Sequence, residues 1–305
     1  MQTLFRWLSR WPLWLLHALG AALGGLSYAL SPTYRARFTR NVRQAGVTPQ
    51  QVRGAAAEAG RLVGELPWLW MRPAGVSLLA RVQWQGDAAI DAAHAAGRGI
   101  VFLTPHLGSF EVTAQAYAER YGAAHPMTVL YRPARKAWLR ALVDSARGRA
   151  GLATAPATLA GVRQMLRALR RGEAVGLLPD QVPPEGLGVW APFFGRPAYT
   201  MTLAARLVQQ TGAQPLLAWG ERLPRGAGYR VHVAPYAEPL PAAPAESAAA
   251  INRAMERLIL QRPAQYLWGY DRYKAPRDAA PTAHGAAEAS SATTSTTATT
   301  AQPGD

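Results

Sequence analysis

The chain has 305 residues, 49% of them hydrophobic, which is enough for the core of one large α/β body. It contains no cysteine, and this excludes disulfides, thiolate metal sites and cysteine nucleophiles. A formal net charge of +15, carried almost wholly by arginine, suits nucleic acid, an anionic membrane or an acidic protein partner and does not choose among them.

The N-terminal segment begins to choose. Trp11 to Leu30 carries no formal charge other than a possible one on His17. About twenty apolar residues suffice to cross a bilayer as a helix. Arg6 and Arg10 precede the stretch, and Arg35, Arg37, Arg40 and Arg43 follow it. Trp7, Trp11 and Trp14 at one end and Tyr28 and Tyr34 at the other match an interfacial belt, and the arginine excess favours a cytoplasmic C-terminal side. The apolar part is long for a cleaved leader, and no convincing small-residue cleavage site precedes the basic run. Pro12, Gly20, Gly24 and Gly25 leave open a buried core helix or a helix lying in the interface. Residues 1–31 are thus expected to form a single membrane anchor ahead of a body over 32–275.

Thr48-Pro49-Gln50-Gln51 reads as a helix start, with threonine at the cap and proline at the first position. That helix should run to about Met71 with a kink near Pro67. Its end, Leu66-Pro67-Trp68-Leu69-Trp70-Met71, suits either a core or an apolar groove. A strand over 81–85 and a short helix from Asp87 to Ala96 come next. Gly99-Ile100-Val101-Phe102-Leu103 is a buried strand, followed by a helix from Ser109 to Arg120. Met127 to Tyr131 is a strand, and helices are expected over 136–147 and 158–171. Ala174 to Leu178 is a third buried strand that leads into a long loop. A helix over 201–210, strands over 214–221 and 229–233, and a last helix over 247–261 complete the body. This alternation predicts an α/β fold: a mixed, mainly parallel central sheet flanked by helices. Residues 276–305 are almost free of large apolar groups and are expected to be disordered.

The richest chemistry lies in Thr104-Pro105-His106-Leu107-Gly108-Ser109-Phe110-Glu111, at the exit of the 99–103 strand. With His106 ahead of the helix and Glu111 inside it, the two can meet. The carboxylate would then fix the imidazole tautomer and leave the other nitrogen to take a proton. No G-x-S-x-G elbow is present, so the base would activate a substrate hydroxyl rather than an enzyme serine. Arg163, Arg167, Arg170 and Arg171 share one helix face, and Arg140 and Arg147 share another; such faces suit phosphate or an acidic protein. Tyr131-Arg132-Pro133 and Leu178-Pro179-Asp180-Gln181 also follow strands, where α/β sheets build sites. No metal cluster, P-loop or dinucleotide glycine motif occurs, so no cofactor is expected.

In their order these pieces resemble the late lipid A acyltransferases of Gram-negative bacteria, within the lysophospholipid-acyltransferase-like superfamily. The resemblance runs from about Leu13 to Lys274. It takes in the apolar N-terminus, His106-x4-Glu111, Tyr131-Arg132-Pro133, the helix end over 163–172, Pro179-Asp180-Gln181, the run from Val189 to Gly195, and Pro263-Ala264-Gln265-Tyr266-Leu267-Trp268. It implies an inner-membrane enzyme, its catalytic domain cytoplasmic, that moves a fatty acyl group from acyl carrier protein to a hydroxyl of a lipid A precursor. His106 would be the base and Glu111 its acid. Arg147, or less closely Arg140, would stabilise charge, and Arg132, Asp180 and Gln181 would line the site. The acidic carrier would dock on Arg163, Arg167 and Arg170. Two other readings stay open: an acyltransferase of the same superfamily with a lysophospholipid, ornithine lipid or other glycolipid as acceptor, and a non-catalytic basic binder of membrane or nucleic acid. The apolar N-terminus and the lack of a nucleic-acid motif speak against a nucleic-acid partner.

Overall fold

The computed structural model describes residues 2–73, 75–131 and 150–276. Its strands are β1 (Val82–Gln85), β2 (Ile100–Leu103), β3 (Met127–Tyr131), β4 (Leu152–Pro156), β5 (Ala174–Leu177), β6 (Gly188–Phe193), β7 (Arg196–Met201), β8 (Gln214–Arg222) and β9 (Tyr229–Pro235). Seven form one sheet in the order β1-β9-β8-β2-β5-β3-β4, and β6 and β7 form a separate hairpin. Within the large sheet only the β8–β9 pair is antiparallel. The mixed, mainly parallel sheet expected from the sequence is therefore present.

The central strands explain the layering. Ile-Val-Phe-Leu in β2 and Ala-Val-Gly-Leu in β5 are buried at every position, as strands covered on both faces must be. Side chains alternate across a strand, so Ile100 and Phe102 enter one core and Val101 and Leu103 the other. The first core is closed by α2 (Leu13–Leu30), α4 (Ala55–Met71), α5 (Ala88–Ala95) and α6 (Phe110–Tyr121), with the short α1 (Gln2–Leu8) packed beside them. The second is closed by α3 (Pro32–Gln44), α7 (Leu159–Arg170), α8 (Leu203–Thr211) and α9 (Pro244–Gln261).

Three local readings differ from the structure. Thr48 and Gln51 do form their reciprocal cap, with Gln51 N–H donating to Thr48 Oγ1 at 3.3 Å and Thr48 N–H to Gln51 Oε1 at 2.9 Å. The helix nevertheless starts at Ala55, because Gly54 adopts a left-handed φ of 80° that ends the first turn. β4 is an edge strand that its sequence Leu-Ala-Thr-Ala-Pro does not announce. The expected long loop after β5 contains the β6–β7 hairpin, whose prolines obscure it; both prolines lie in a two-stranded ribbon, where a missing donor is tolerated. Its turn puts Phe194 at φ 47° and Gly195 at φ 74°, the signs a two-residue hairpin turn requires. Phe194 is held there by its N–H donating to Glu256 Oε1 and its carbonyl accepting from Gln44 Nε2, each at 2.7 Å.

Helix α2 is long and apolar enough to cross a membrane. It also lies tightly along α4. A Cβ on Gly60 would stand 2.0 Å from the Gly20 carbonyl oxygen, and one on Gly24 2.2 Å from that of Ala56, so the backbones touch only because these positions lack side chains. The opposite face is apolar and exposed through Trp14, Leu19, Leu23, Leu26 and Leu30. The expected helix over 136–147, with Arg140 and Arg147, lies outside the described residues, as do Arg132 and residues 277–305.

Candidate active site

His106 and Asp180 meet because two parallel strands end in register. Leu103 of β2 faces Leu177 of β5, and Thr104 N–H continues the ladder to the Leu177 carbonyl at 3.0 Å. His106 and Asp180 each lie three residues further on. Asp180 takes both donors of the histidine: Nδ1–H donates to Oδ1 at 2.7 Å and the backbone N–H to Oδ2 at 2.9 Å. A carboxylate only accepts, so the proton sits on Nδ1 and Nε2 is left as the basic nitrogen.

Asp180 is buried, which pushes its carboxyl up. The His106 ring, its two hydrogen bonds and the Arg272 charge outweigh that and hold it below the usual carboxylate range. Tyr266 hydrogen-bonds the same carboxylate; burial and that negative charge push its phenol well above the ordinary value, so it stays a donor.

The loop that carries His106 is fixed from both sides. Gly108 N–H donates to the Gln265 carbonyl at 3.0 Å and Ser109 N–H to the Gly220 carbonyl at 2.7 Å. Gly108 needs its left-handed φ of 61°, and a Cβ there would stand 2.0 Å from Gly220 O. Arg222 Nη2 donates to the Gly108 carbonyl at 3.2 Å.

His106 opens on a cavity of about 650 Å³. Its walls are largely apolar, with Val129, Leu130, Val162, Leu178 and Leu203, and its polar groups include Glu111, Gln115, Gln181, Arg206 and Gln210. Phe110 stands edge-on to the imidazole, with ring centroids 4.9 Å apart. Trp70 and Phe110 line the cavity. Trp68 instead packs against the guanidinium groups of Arg72 and Arg81, at 5.8 and 5.9 Å.

The partner that reaches His106 Nδ1 is therefore Asp180, where the sequence pointed to Glu111. Glu111 is the second residue of α6; it lines the same cavity, and its Oε2 accepts from Trp70 Nε1 at 3.4 Å. The structure brings His106, Glu111, Tyr131 and Gln181 to one cavity, with Asp180 directly behind the histidine. Arg163, Arg167 and Arg170 stand exposed along α7, whose first residues Leu159 and Val162 form part of the cavity wall. Tyr266 and Arg206 are not legible as site residues in the sequence. Tyr266 sits in a motif with no local sign of its target, and Arg206 lies on an ordinary amphipathic helix.

The α/β sheet thus aims an aspartate-held histidine into a largely apolar cavity. The sequence relationships are more specific: the chain belongs to the bacterial lipid A biosynthesis acyltransferase family, whose model matches residues 42–275. It is 28% identical over 206 residues to the lipid A biosynthesis palmitoleoyltransferase of Escherichia coli (strain K12), over 67% of this chain and 62% of that protein. It is 29% identical over 188 residues to the lipid A biosynthesis lauroyltransferase of the same organism, over 61% and 58%. It is 26% identical over 191 residues to a lipid A biosynthesis acyltransferase of Haemophilus influenzae, over 63% and 58%. The chain thus spans less than two thirds of the length of these relatives.

Proposed function

We propose that this protein transfers a fatty acyl group from acyl carrier protein to a hydroxyl of a lipid A precursor at the cytoplasmic face of the bacterial inner membrane. The observation that carries the chemistry is the 2.7 Å bond from His106 Nδ1 to Asp180, which turns Nε2 into the base of an apolar cavity. Nε2 takes the hydroxyl proton as the oxygen attacks the thioester carbonyl. The tetrahedral adduct collapses, the C–S bond breaks, and the imidazolium returns its proton to the thiolate. Asp180 stabilises the transient cation. Glu111 accepts a hydrogen bond from the acceptor and holds its hydroxyl for attack.

The adduct's oxyanion needs donors. The Gly108 and Ser109 amides are already engaged, which leaves the amide of Phe110, at the positive end of α6, as the donor of choice. Arg147, Arg140 and Arg132 keep the roles the family resemblance implies, on charge that develops in the reaction or on substrate phosphate. The acyl chain lies against Trp70, Phe110, Leu130 and Leu178. Helix α7 starts at the cavity and carries Arg163, Arg167 and Arg170 outward over about 17 Å, a basic ramp for an acidic carrier. The apolar face of α2 and the arginines of α3 suit an anionic bilayer surface.

The test is reconstitution of the full chain with an acyl-carrier thioester and a lipid A precursor, read by mass spectrometry of the lipid. Gain of one acyl group by the wild type and not by His106→Ala is expected. Acylation by that variant at the wild-type rate overturns the mechanism, and no acylation by the wild type overturns the substrate assignment.

A further inference from the structure

A second histidine–carboxylate bond lies away from the cavity. His17, on the buried face of α2, donates from Nε2 to Glu65 Oε2 of α4 at 2.9 Å. Glu65 is fully buried and is gripped by Arg222, whose Nε and Nη2 each donate to it at 2.8 Å. The same Nη2 donates to the Gly108 carbonyl, two residues after His106. Arg222 is itself fixed by Gln265, which bonds both its N–H and its carbonyl at 2.9 Å. An unbroken chain of hydrogen bonds thus runs from the apolar helix α2 to the loop that carries the base.

The cluster is a poor device for stability, because the desolvation of buried ions offsets most of their attraction. Its physical value is register. Gly20 is now seated between Gly60 and Gly64. A slide of one helical turn would seat Gly24 between the same two glycines but would bring Tyr28 to the present seat of Gly24, where a Cβ stands 2.2 Å from the Ala56 carbonyl oxygen, so the glycine contact and the His17–Glu65 bond select the same register. The slide would carry His17 about 5.4 Å along the axis, away from Glu65. The observed register lets His17 add a donor to a buried carboxylate that Arg222 and Tyr229 also hold, while Arg222 Nη2 divides between Glu65 and Gly108.

We propose that His17, Glu65 and Arg222 are positioning residues for acyl transfer: they make the seat of the lipid-facing helix α2 on α4 a determinant of where the His106 loop stands. None of the three lines the cavity, so each acts through Gly108. The inference rests on the acyl-transfer reading for its kinetic consequence, and its geometric consequence can be read without it.

The test uses the full chain in phospholipid vesicles. His17→Leu cuts the link at α2, His17→Gln restores a donor at that position, and Arg222→Lys keeps the charge beside Glu65 but loses the fork that also reaches Gly108. Loop misplacement of a fraction of an ångström should lower kcat about tenfold in His17→Leu and Arg222→Lys, with KM for both substrates within about twofold. His17→Gln should recover at least about half of the wild-type kcat. The rate at which diethylpyrocarbonate modifies His106, followed by peptide mass spectrometry, should change in His17→Leu and return in His17→Gln. Wild-type kcat in His17→Leu, or a loss that His17→Gln does not restore, overturns the proposal. An unchanged His106 modification rate overturns it as well, whatever the protein acylates. If the wild type transfers no acyl group while the modification rates shift as expected, the substrate reading falls and the positioning relay stands.

Discussion

Two of the molecule's imidazole–carboxylate pairs differ sharply in access, and His232 with Glu221, at 2.9 Å, is a third. His106 with Asp180 and His17 with Glu65 are both imidazole–carboxylate hydrogen bonds, at 2.7 and 2.9 Å, with the acid almost wholly buried in each. They differ in what the rest of the ring sees. His106 keeps 15% of its side-chain surface open and looks into a large apolar cavity, whereas His17 keeps 6% and lies between packed helices. The acids differ too. Asp180 serves one histidine and a tyrosine, while Glu65 is bound by an arginine fork, a histidine and the Tyr229 hydroxyl. A histidine–carboxylate pair is thus no mark of chemistry by itself. Access to a substrate-sized space is what separates the two.

The largest expected effect tests the open pair. His106→Ala should lower acyl transfer by roughly 10² to 10⁴ with folding intact, measured as initial rate at saturating substrates. Asp180→Asn keeps the shape but loses the charge that fixes the ring and stabilises its cation; a loss of up to roughly 10⁴-fold in kcat is expected, with little change in KM. If Glu111→Gln costs more than Asp180→Asn, Glu111 is the more important acid and the comparison must be redrawn.

The sealed pair should respond in stability. Glu65→Gln removes the carboxylate that holds two of the Arg222 donors, leaves Glu58 as the remaining counter-charge, and should cost about 3 kcal/mol, seen as a lower unfolding midpoint. Burial raises the Glu65 carboxyl, but the Arg222 charge and the Arg222 and His17 hydrogen bonds outweigh it and bring it down from 4.5 to about 2. In that window the unfolded chain binds the proton and the folded one does not. Stability from this group is therefore complete above about 4.5 and is lost as pH falls toward about 2. The wild type should show that acid limb in melting experiments, and Glu65→Gln should flatten it. A limb that survives the substitution unchanged would assign it to other carboxylates, Asp180 among them.

The smallest effect concerns delivery to the open site. Replacing Arg163, Arg167 and Arg170 together with glutamine should raise KM for the acyl carrier a few-fold more than KM for the lipid, and the difference should shrink in high salt. Equal changes in both KM values would move the carrier dock elsewhere.

Much of the site was legible because it sits at strand ends. The apolar runs of β2 and β5 and the polar residues just after them marked His106, Asp180 and Gln181 as neighbours of a site. The pairing itself was not legible, since Glu111 is five residues from His106 and Asp180 is 74. A short spacing favours the local acid on paper, whereas the β2–β5 register favours the distant one in space. His17 shows the same gap more sharply. Inside an apolar stretch it reads as an incidental polar residue, and its partner lies 48 residues away on another helix.

Local chemistry therefore determined the central strands and most of the helices, their alternation, the apolar character of the N-terminus and the candidate imidazole, because periodicity and chain-breaking residues act over a few positions. Tertiary structure alone decided which acid each histidine meets, that one pair is open and the other sealed, and that Arg222 joins α4 to the Gly108 carbonyl. Those outcomes depend on strand register and on how closely two glycine-lined helices approach, which are relations between distant parts of the chain that no short window contains.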